Sequence, residues 1–414
     1  MPIRDKIRSS VRRIAAELVD HGHEAYLVGG AVRDLLLGVN PKDYDIATSA
    51  SPEEIRGVFG RRRSRIIGRR FRLAHVYDRG EVYEVSTFRR EPTTEERSGR
   101  EKDDGVMLWR DNAYGTLEED ARRRDFTVNA LYYDVVGDRG VIDFVGGVQD
   151  LESKIARAIG ETSMRMAEDP VRMLRALKLV GQFGFSLHPL LQKAIAKQGE
   201  SIRLASQNRL FEELLKIINH PKAESILAAF REHGFLRWFW PNLDAIWEKT
   251  AGQLLRDLLA ERGQRLSRRD YPNSKALLLS TLIFAPIAAA LGDGGRDDLW
   301  LHQPGLEHVC RKLVHEFMDP FPVSRFLSAR TRDICMLVPR IDDGQKRGRI
   351  LRHPEYRYGH ELFSLWLAAR GEDLAPLDDW PRPKPKSRGT ERRRPARKGR
   401  QSSRRPGQSA EKPK

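Results

Sequence analysis

The amino-acid sequence predicts a small mixed α/β head, then an all-α neck and body, and finally a disordered basic tail. Over the first 150 residues, short apolar runs that end at glycines alternate with amphipathic helical segments, which is typical of a small sheet with helices. From Leu151 onward the strand signals become sparse and helical periodicity dominates. The segment from Pro381 onward is rich in Arg, Lys, Pro, Ser and Gly and has no aromatic residue, so it has little apolar surface to bury.

The head is predicted from local patterns along the chain. Ser51, Pro52 and Glu54 have the sequence of a capping box with proline at the first helical position. The polar, aperiodic residues 91–110 predict a long flexible loop. The other predicted elements are a helix over residues 3–20, a strand over 25–28, a helix over 31–37, strands over 44–47, 65–67, 72–77 and 82–88, and returns to the sheet over 126–135 and 141–144.

Helices are predicted for the remainder of the chain, over residues 165–183, 208–218, 223–233, 251–260 and 275–290, with others to about 370. We therefore divide the chain into a head (1–150), a helical neck (151–225), a helical body (226–375) and the tail (381–414).

Composition narrows the choice of partner. The 414 residues carry a formal net charge of +16, and residues 382–414 hold 14 Lys and Arg against two Glu. Most of the excess positive charge therefore lies in the predicted tail. Nucleic acid is the natural polyanionic partner of such a segment. The alternative is a tail that only increases solubility.

The cysteines and the apolar segments exclude several classes of protein. Cys310 and Cys335 have no ligand-like spacing, which argues against a zinc site and a disulfide framework. We expect a reducing, cytoplasmic environment, since no secretory signal pattern opens the sequence. The most apolar stretch, residues 276–291, is too short to span a bilayer and predicts a buried helix.

Asp43 and Asp45 are the first candidates for chemistry. At a spacing of two residues on a strand, both carboxylates leave the same face of the sheet. Adjacent carboxylates repel each other unless a cation lies between them, and Mg²⁺ prefers oxygen ligands and retains phosphate oxygens. The pair is therefore what two-metal nucleotidyl transfer requires. Because Asp-x-Asp is also common in turns, the neighbouring sequence has to decide between these interpretations.

That neighbouring sequence favours a nucleotide site. Gly29 and Gly30 lie where a strand turns into a helix, so backbone N–H groups and the positive end of the helix dipole can approach a phosphate. Arg33, one turn into the helix, can reach the same phosphates. The pattern is neither a Walker A loop nor G-x-G-x-x-G. With two aspartates on the next strand, it predicts a nucleoside triphosphate with a metal rather than a simple tight turn.

These residues resemble motifs of the class II nucleotidyltransferases of the DNA polymerase β superfamily, which comprise bacterial poly(A) polymerases and tRNA CCA-adding enzymes. The resemblance implies a nucleotidyltransferase head in which Asp43 and Asp45 hold two Mg²⁺ ions, or Mn²⁺ in their place, with ATP as substrate. It is strong to about Lys216. The matching blocks are G-G-A-V-R-D-L-L-L-G (Gly29–Gly38) with D-Y-D (Asp43–Asp45), R-R-D-F-T-V-N-A (Arg123–Ala130), D-F-V-G-G-V-Q-D-L (Asp143–Leu151) and E-D-P-V-R-M-L-R-A (Glu168–Ala176).

The second block, Arg123–Ala130, adds further candidates. Its arginines suit a triphosphate, and its carboxylate and amide suit ribose hydroxyls or a metal. The resemblance implies that Asp125 belongs to the active site, and we assign it as the third catalytic carboxylate. Arg124 and Asn129 join the candidates for nucleotide binding. Glu84, on a strand predicted to lie next to the aspartate pair, is the alternative third carboxylate.

The last block suggests how a base is selected. Asp169 and Arg172, three residues apart on a predicted helix, offer an acceptor and a donor. Adenine and cytosine both present an amino donor beside a ring acceptor, whereas guanine and uracil present the reverse and leave buried polar groups unpaired. The pair therefore predicts a protein template for A or C. The alternative is an intrahelical salt bridge.

Two stretches distinguish between the family's activities. Residues Ile66–Val76 and Arg209–Lys216 are similar to bacterial poly(A) polymerases, which implies AMP addition to RNA 3′ ends in mRNA processing and decay, with mRNA and the RNA-degradation machinery as partners. A tRNA CCA-adding enzyme is the first alternative. The second, a catalytically inactive RNA-binding protein, is disfavoured by the intact Asp43, Asp45 and Asp125.

Overall fold

The computed structural model describes residues 3–68, 72–91, 113–268, 272, 274–291, 303–344 and 347–381. The predicted tail, nearly all of the predicted loop over residues 91–110 and part of the Ile66–Val76 stretch lie outside these ranges. Over the described residues, a mixed sheet with helices is followed by a helical body, as the sequence predicts.

The sheet of the head has the strand order β3-β4-β5-β2-β1-β6-β7. Neighbouring strands are antiparallel except β2 and β5, which are parallel. The strands are β1 (Ala25–Val28), β2 (Asp45–Thr48), β3 (Ser64–Ile67), β4 (Leu73–Asp78), β5 (Glu81–Thr87), β6 (Tyr132–Tyr133) and β7 (Val141–Ile142), with a separate parallel pair of β8 (Ile155–Ala156) and β9 (Ser186–Leu187).

The helices of the head cover the sheet with apolar side chains. Val11, Ile14 and Leu18 of α1 are fully buried, which confirms the predicted apolar face. The capping box at Ser51 is also present, because its hydroxyl accepts from the Glu54 N–H. These helices are α1 (Ser9–Asp20), α2 (Gly30–Leu36), α3 (Pro52–Arg63), α4 (Leu117–Arg122) and α5 (Gly147–Glu152), with 3-10 helices at Arg4–Lys6 and Thr127–Asn129.

The helical part continues to Ala369. Gly181 lets two of its helices, α7 and α10, cross closely, since a Cβ there would lie 2.4 Å from Ile226 Cα. The helices are α6 (Thr162–Glu168), α7 (Val171–Phe183), α8 (Pro189–Gln198), α9 (Gln207–Ile218), α10 (Ala223–Glu232), α11 (Leu236–Phe239), α12 (Pro241–Ile246), α13 (Thr250–Ser267), α14 (Lys275–Leu291), α15 (Gln303–Glu316), α16 (Arg325–Asp343), α17 (Arg347–Leu351) and α18 (Tyr356–Ala369).

Two predicted helices are interrupted. The helix predicted over residues 3–20 begins only at Ser9, because Ile7 is extended after the short 3-10 helix. The helix predicted over residues 165–183 is divided into α6 and α7 at Asp169, whose φ of −142° and ψ of 94° are extended. Pro170 explains the break, since its ring disfavours helical geometry in the preceding residue.

The apolar stretch in the body is a buried helix, as predicted. Residues 276–288 of α14 are buried, including Pro286 within the helix. No described helix has both the length and the apolar character needed to cross a membrane. Cys310 and Cys335 are free thiols, both fully buried.

Candidate active site

Asp43 and Asp45 lie together at the start of β2. Tyr44 between them is buried and both aspartates are exposed, so the two carboxylates share one face. Although Asp45 is accessible to solvent, the surrounding protein atoms partly desolvate it. This desolvation, together with the charges of Glu84 and Asp43, raises the pKa of Asp45 to about 6 against the lowering effect of Arg124. The site therefore holds negative charge that a cation would neutralise.

The glycine turn lies next to this pair. Val28, the last residue of β1, pairs with Asp45 in the sheet. Gly29 follows as the N-cap of α2 with φ of +74°, which glycine adopts without steric cost. Its carbonyl accepts from the Arg33 N–H at 3.1 Å. The N-terminus of α2 and the aspartate pair therefore meet at one edge of the sheet.

Arg33 connects three segments of the chain. Its Nη1 donates to Asn129 Oδ1 at 2.6 Å, and its Nε donates to Asp34 at 2.9 Å. Its guanidinium also lies over the ring of Phe183, at the end of α7, with 4.7 Å to the centroid. The structure thus brings the predicted nucleotide residues Arg33 and Asn129 into direct contact.

Arg124 is held beside Gly29 by two buried partners. A Cβ on Gly29 would lie 3.3 Å from Arg124 Nη1. Asp120 Oδ2 accepts from Arg124 Nη2 at 3.0 Å and from the Tyr132 hydroxyl at 2.6 Å. Burial raises the pKa of Asp120, but Arg124 and Arg123 outweigh it and bring the pKa to about 2. Sequence reasoning missed Asp120, although its spacing of four residues from Arg124 on a helix was a usable signal.

The Tyr132 hydroxyl gives a stability prediction. Tyr132→Phe removes a buried hydrogen bond to an ionised carboxylate, so we expect unfolding to need about 2 kcal/mol less free energy. Urea denaturation measures the difference. Tyr77→Phe, on a half-exposed ring, is the control and should stay within about 0.5 kcal/mol. Equal stabilities for Tyr132→Phe and the wild type would contradict the role of this contact.

Asp125, assigned from the sequence as the third catalytic carboxylate, is held by two arginines of α7. Its two oxygens accept from Arg172 Nε at 3.1 Å and from Arg175 Nη1 at 2.5 Å. Burial raises its pKa, but the two arginines outweigh this and the net shift is downward. Glu84, in contrast, lies opposite Asp45 across the parallel pair of β2 and β5. His75 faces Glu84 from β4, with 3.7 Å between Nε2 and Oε1.

Asp169 and Arg172 do not share one helix, since Asp169 is the C-cap of α6 and Arg172 lies in α7. The predicted alternative, an intrahelical pair, is not formed by their side chains, which are held by other residues. Asp169 Oδ2 accepts from Arg209 Nη2 at 2.7 Å. Arg172 donates to Asp125 and, at 3.1 Å, to Glu168.

The donor set fits a hard divalent cation. Among the residues that the structure describes, no three acidic, histidine or cysteine side chains form a complete metal cage. Asp43 and Asp45 instead supply two carboxylates beside the glycine turn. Mg²⁺ is typically bound in this way, through one or two carboxylates plus substrate phosphates. The raised pKa of Asp45 is the sign of uncompensated charge that such a cation would relieve.

Comparison with known proteins identifies the family. Residues 25–157 match the family model described as the poly(A) polymerase head domain, and residues 184–246 match the probable RNA and SrmB-binding site of polymerase A. Poly(A) polymerase I of Salmonella typhimurium is 33% identical over 91% of this chain and 82% of its own length. The chain belongs to the poly(A) polymerase family. It is therefore a nucleotidyltransferase, as the motifs imply.

CCA-adding enzymes are also relatives within this wider group. The CCA-adding enzyme of Geobacillus thermodenitrificans is 37% identical, over 62% of this chain and 59% of its own length. The crystal structure of the Bacillus stearothermophilus CCA-adding enzyme in complex with CTP covers 87% of this chain and 92% of that chain, with 27% identity and a TM-score of 0.50. By sequence, the similarity to poly(A) polymerase I thus covers more of this chain than the similarity to the CCA-adding enzyme.

Proposed function

We propose that this poly(A) polymerase family member adds AMP from ATP to RNA 3′ ends without a template. The observation that carries the proposal is the extent of the sequence similarity, which covers 91% of this chain for poly(A) polymerase I and 62% for the CCA-adding enzyme. The reaction joins the RNA 3′-hydroxyl to the α-phosphorus of ATP and releases pyrophosphate.

The active-site residues have distinct roles in this proposal. Asp43 and Asp45 would hold two Mg²⁺ ions, and bound Mg²⁺ would supply Lewis acidity at the 3′-hydroxyl and charge neutralisation at the triphosphate. Gly29 and Gly30 present backbone N–H groups to the phosphates. Arg33 and Arg124 place their guanidinium groups on the same side, next to the glycine turn. Asn129 orients Arg33 and faces the ribose. Asp169 and Arg172 read the base.

Single-nucleotide extension tests the proposal. Purified protein is incubated with Mg²⁺, an unstructured RNA and each of the four nucleoside triphosphates in turn. We expect long products with ATP alone. Extension confined to tRNA that lacks its 3′ end, with a requirement for CTP, would instead identify a CCA-adding enzyme. RNA binding with no extension of any substrate would identify a protein that has lost catalysis.

Substitution of Gly29 tests the phosphate turn. Ala at this position is strained at φ of +74° and brings Cβ to 3.3 Å from Arg124 Nη1, so we expect the KM for ATP to rise roughly tenfold. Gly38→Ala is a matched control, because Gly38 also has φ of +74° but no atom within 4 Å of its Cβ position. Steady-state kinetics compare the two variants. An equal rise in KM for both variants would show that Gly29 is needed only for its backbone conformation and not for the space beside Arg124.

Glu84, rather than Asp125, is the third carboxylate in this proposal, and Asp125 orients Arg172. Glu84→Gln should lower kcat about 100-fold with little change in the KM for ATP, because its charge lies beside Asp45. Asp125→Asn should raise the KM for ATP more than it lowers kcat. Glu81→Gln, at the start of the same strand, is the control. The reverse pattern would restore Asp125 as the third carboxylate.

The remaining expectations stay predictions. RNA binding by the helical part and by residues 382–414 should be largely electrostatic. The affinity for RNA should therefore fall as the salt concentration rises. A role in mRNA decay, an association with the RNA-degradation machinery and a cytoplasmic location also await experiment.

A further inference from the structure

A pocket of about 600 Å³ opens on the helical part of the chain, between α9, α16 and α18. Three aromatic side chains line it, those of Phe211, Phe326 and Tyr358. Asn208 and Lys275 add an amide and a cation at its edge. The lining thus combines flat apolar surfaces with polar groups, and it extends beyond the segment that matches the family's RNA-binding region.

Phe326 is the most unusual residue of this pocket. Its side chain is 73% exposed on the first turn of α16. Arg330, one turn further along, lies 5.7 Å from the Phe326 ring centroid and 5.9 Å from that of Tyr358. Glu355 fixes this guanidinium through two hydrogen bonds of 2.7 and 2.9 Å. Arg330, fixed by Glu355, therefore lies against the Phe326 ring, and most of that ring is exposed to solvent rather than packed in the core.

The pocket lies close to the proposed base-reading group. Asn208 lines the pocket, and the next residue of α9, Arg209, donates to Asp169 at 2.7 Å. Consecutive Cα atoms are only about 3.8 Å apart. One turn of α9 thus contacts the pocket on one side and the candidate template on the other. A strand that ends at the active site has a short route to the pocket.

We propose that this pocket binds a nucleobase of the RNA strand upstream of its 3′ end, with the base stacked on Phe326. The proposal rests on the proposed function, since it presupposes an RNA substrate at the neighbouring site. Aromatic stacking suits a template-independent enzyme, because every base has a π-face and stacking is tolerant of sequence. Lys275, with 60% of its side chain exposed, forms an ion pair of 3.4 Å with Glu212, and a phosphate of the adjoining nucleotide would compete with that carboxylate for the lysine.

The test uses the full chain and fluorescein-labelled oligoadenylates of 3 and 15 nucleotides. Fluorescence anisotropy measures affinity, and extension with ATP measures the KM for each primer. Phe326→Ala should weaken binding of the 15-mer roughly tenfold and raise its KM, because one stacked base is lost. The KM for ATP should not change. Phe326→Trp should restore binding, and Leu204→Ala, at another exposed apolar residue, should have no effect.

Unchanged 15-mer affinity and KM in Phe326→Ala would overturn the proposal. The exposed ring would then be a candidate contact for a protein partner. A roughly tenfold rise in the KM for ATP in Phe326→Ala would also overturn it, since the pocket would then act on the incoming nucleotide rather than on the strand upstream of the 3′ end. Failure of the wild type to extend RNA with ATP would contradict the proposed function. Selective loss of 15-mer binding in that case would still support the pocket.

Discussion

Asp45→Asn should lower kcat for nucleotide addition by roughly 10³-fold or more while RNA affinity is retained. The reason is that Asp45 supplies one of the two carboxylates at the glycine turn, and a metal site contributes several kcal/mol of transition-state stabilisation. Extension of a labelled RNA with ATP measures the rate, and anisotropy measures affinity. Asp138→Asn, at a fully exposed carboxylate, is the control and should leave the rate unchanged.

The same variant should be more stable than the wild type in the absence of metal. Protein surroundings and two neighbouring carboxylates raise the pKa of Asp45 from 3.8 to about 6, so its ionised form is penalised in the folded state. This penalty develops as pH rises through that interval. In EDTA, the Tm of Asp45→Asn should exceed that of the wild type at pH 8, and the difference should disappear below about pH 4. A lower Tm at pH 8 would indicate a structural role for the carboxylate.

Asp169→Asn should weaken the preference for ATP over GTP by about 10- to 100-fold. A carboxylate can only accept a hydrogen bond, whereas an asparagine amide can also donate to guanine O6, so one of the two mismatches with guanine is relieved while its N1–H still faces Arg172. Each unpaired buried polar group costs about 1–3 kcal/mol, which sets the size of the change. The ratio of kcat/KM for the two nucleotides is the measurement.

Control variants distinguish a loss of nucleotide selectivity at Asp169 from a general disturbance of the surrounding structure. Arg122→Ala removes an exposed arginine that pairs with Glu118 within α4, and it should leave the ratio unchanged. Arg209→Ala removes the residue that holds Asp169, so it should weaken selectivity in the same direction but less strongly. An unaltered ATP preference in Asp169→Asn, with normal folding, would contradict the template.

In the head, the sequence predicted correctly those features that depend on a single short-range interaction. The strand over residues 25–28, the capping box at Ser51 and the buried Tyr44 between two exposed aspartates follow from alternation and capping alone. The break at Asp169 was also signalled, by Pro170, but helical periodicity on both sides concealed it.

Contacts between distant segments were predicted only in outline. The sequence predicted that the strand of Glu84 lies next to the aspartate pair, but no local pattern specifies the parallel register of β2 and β5 that sets Glu84 opposite Asp45. Asp125, assigned as the third catalytic carboxylate, accepts hydrogen bonds from Arg172 and Arg175 of α7, about 50 residues away, and no local pattern predicted these partners. The positions of these partners depend on how the helical part packs on the head, which periodicity does not encode.

Counting bound Mn²⁺ by electron paramagnetic resonance, in the presence of a non-hydrolysable ATP analogue, tests most directly whether Asp43 and Asp45 form the metal site. The wild type should bind Mn²⁺ tightly together with the analogue, and the variant that combines Asp43→Asn with Asp45→Asn should lose that binding while it remains folded. Equal Mn²⁺ binding by the two proteins would show that the metal site lies elsewhere and would contradict the account.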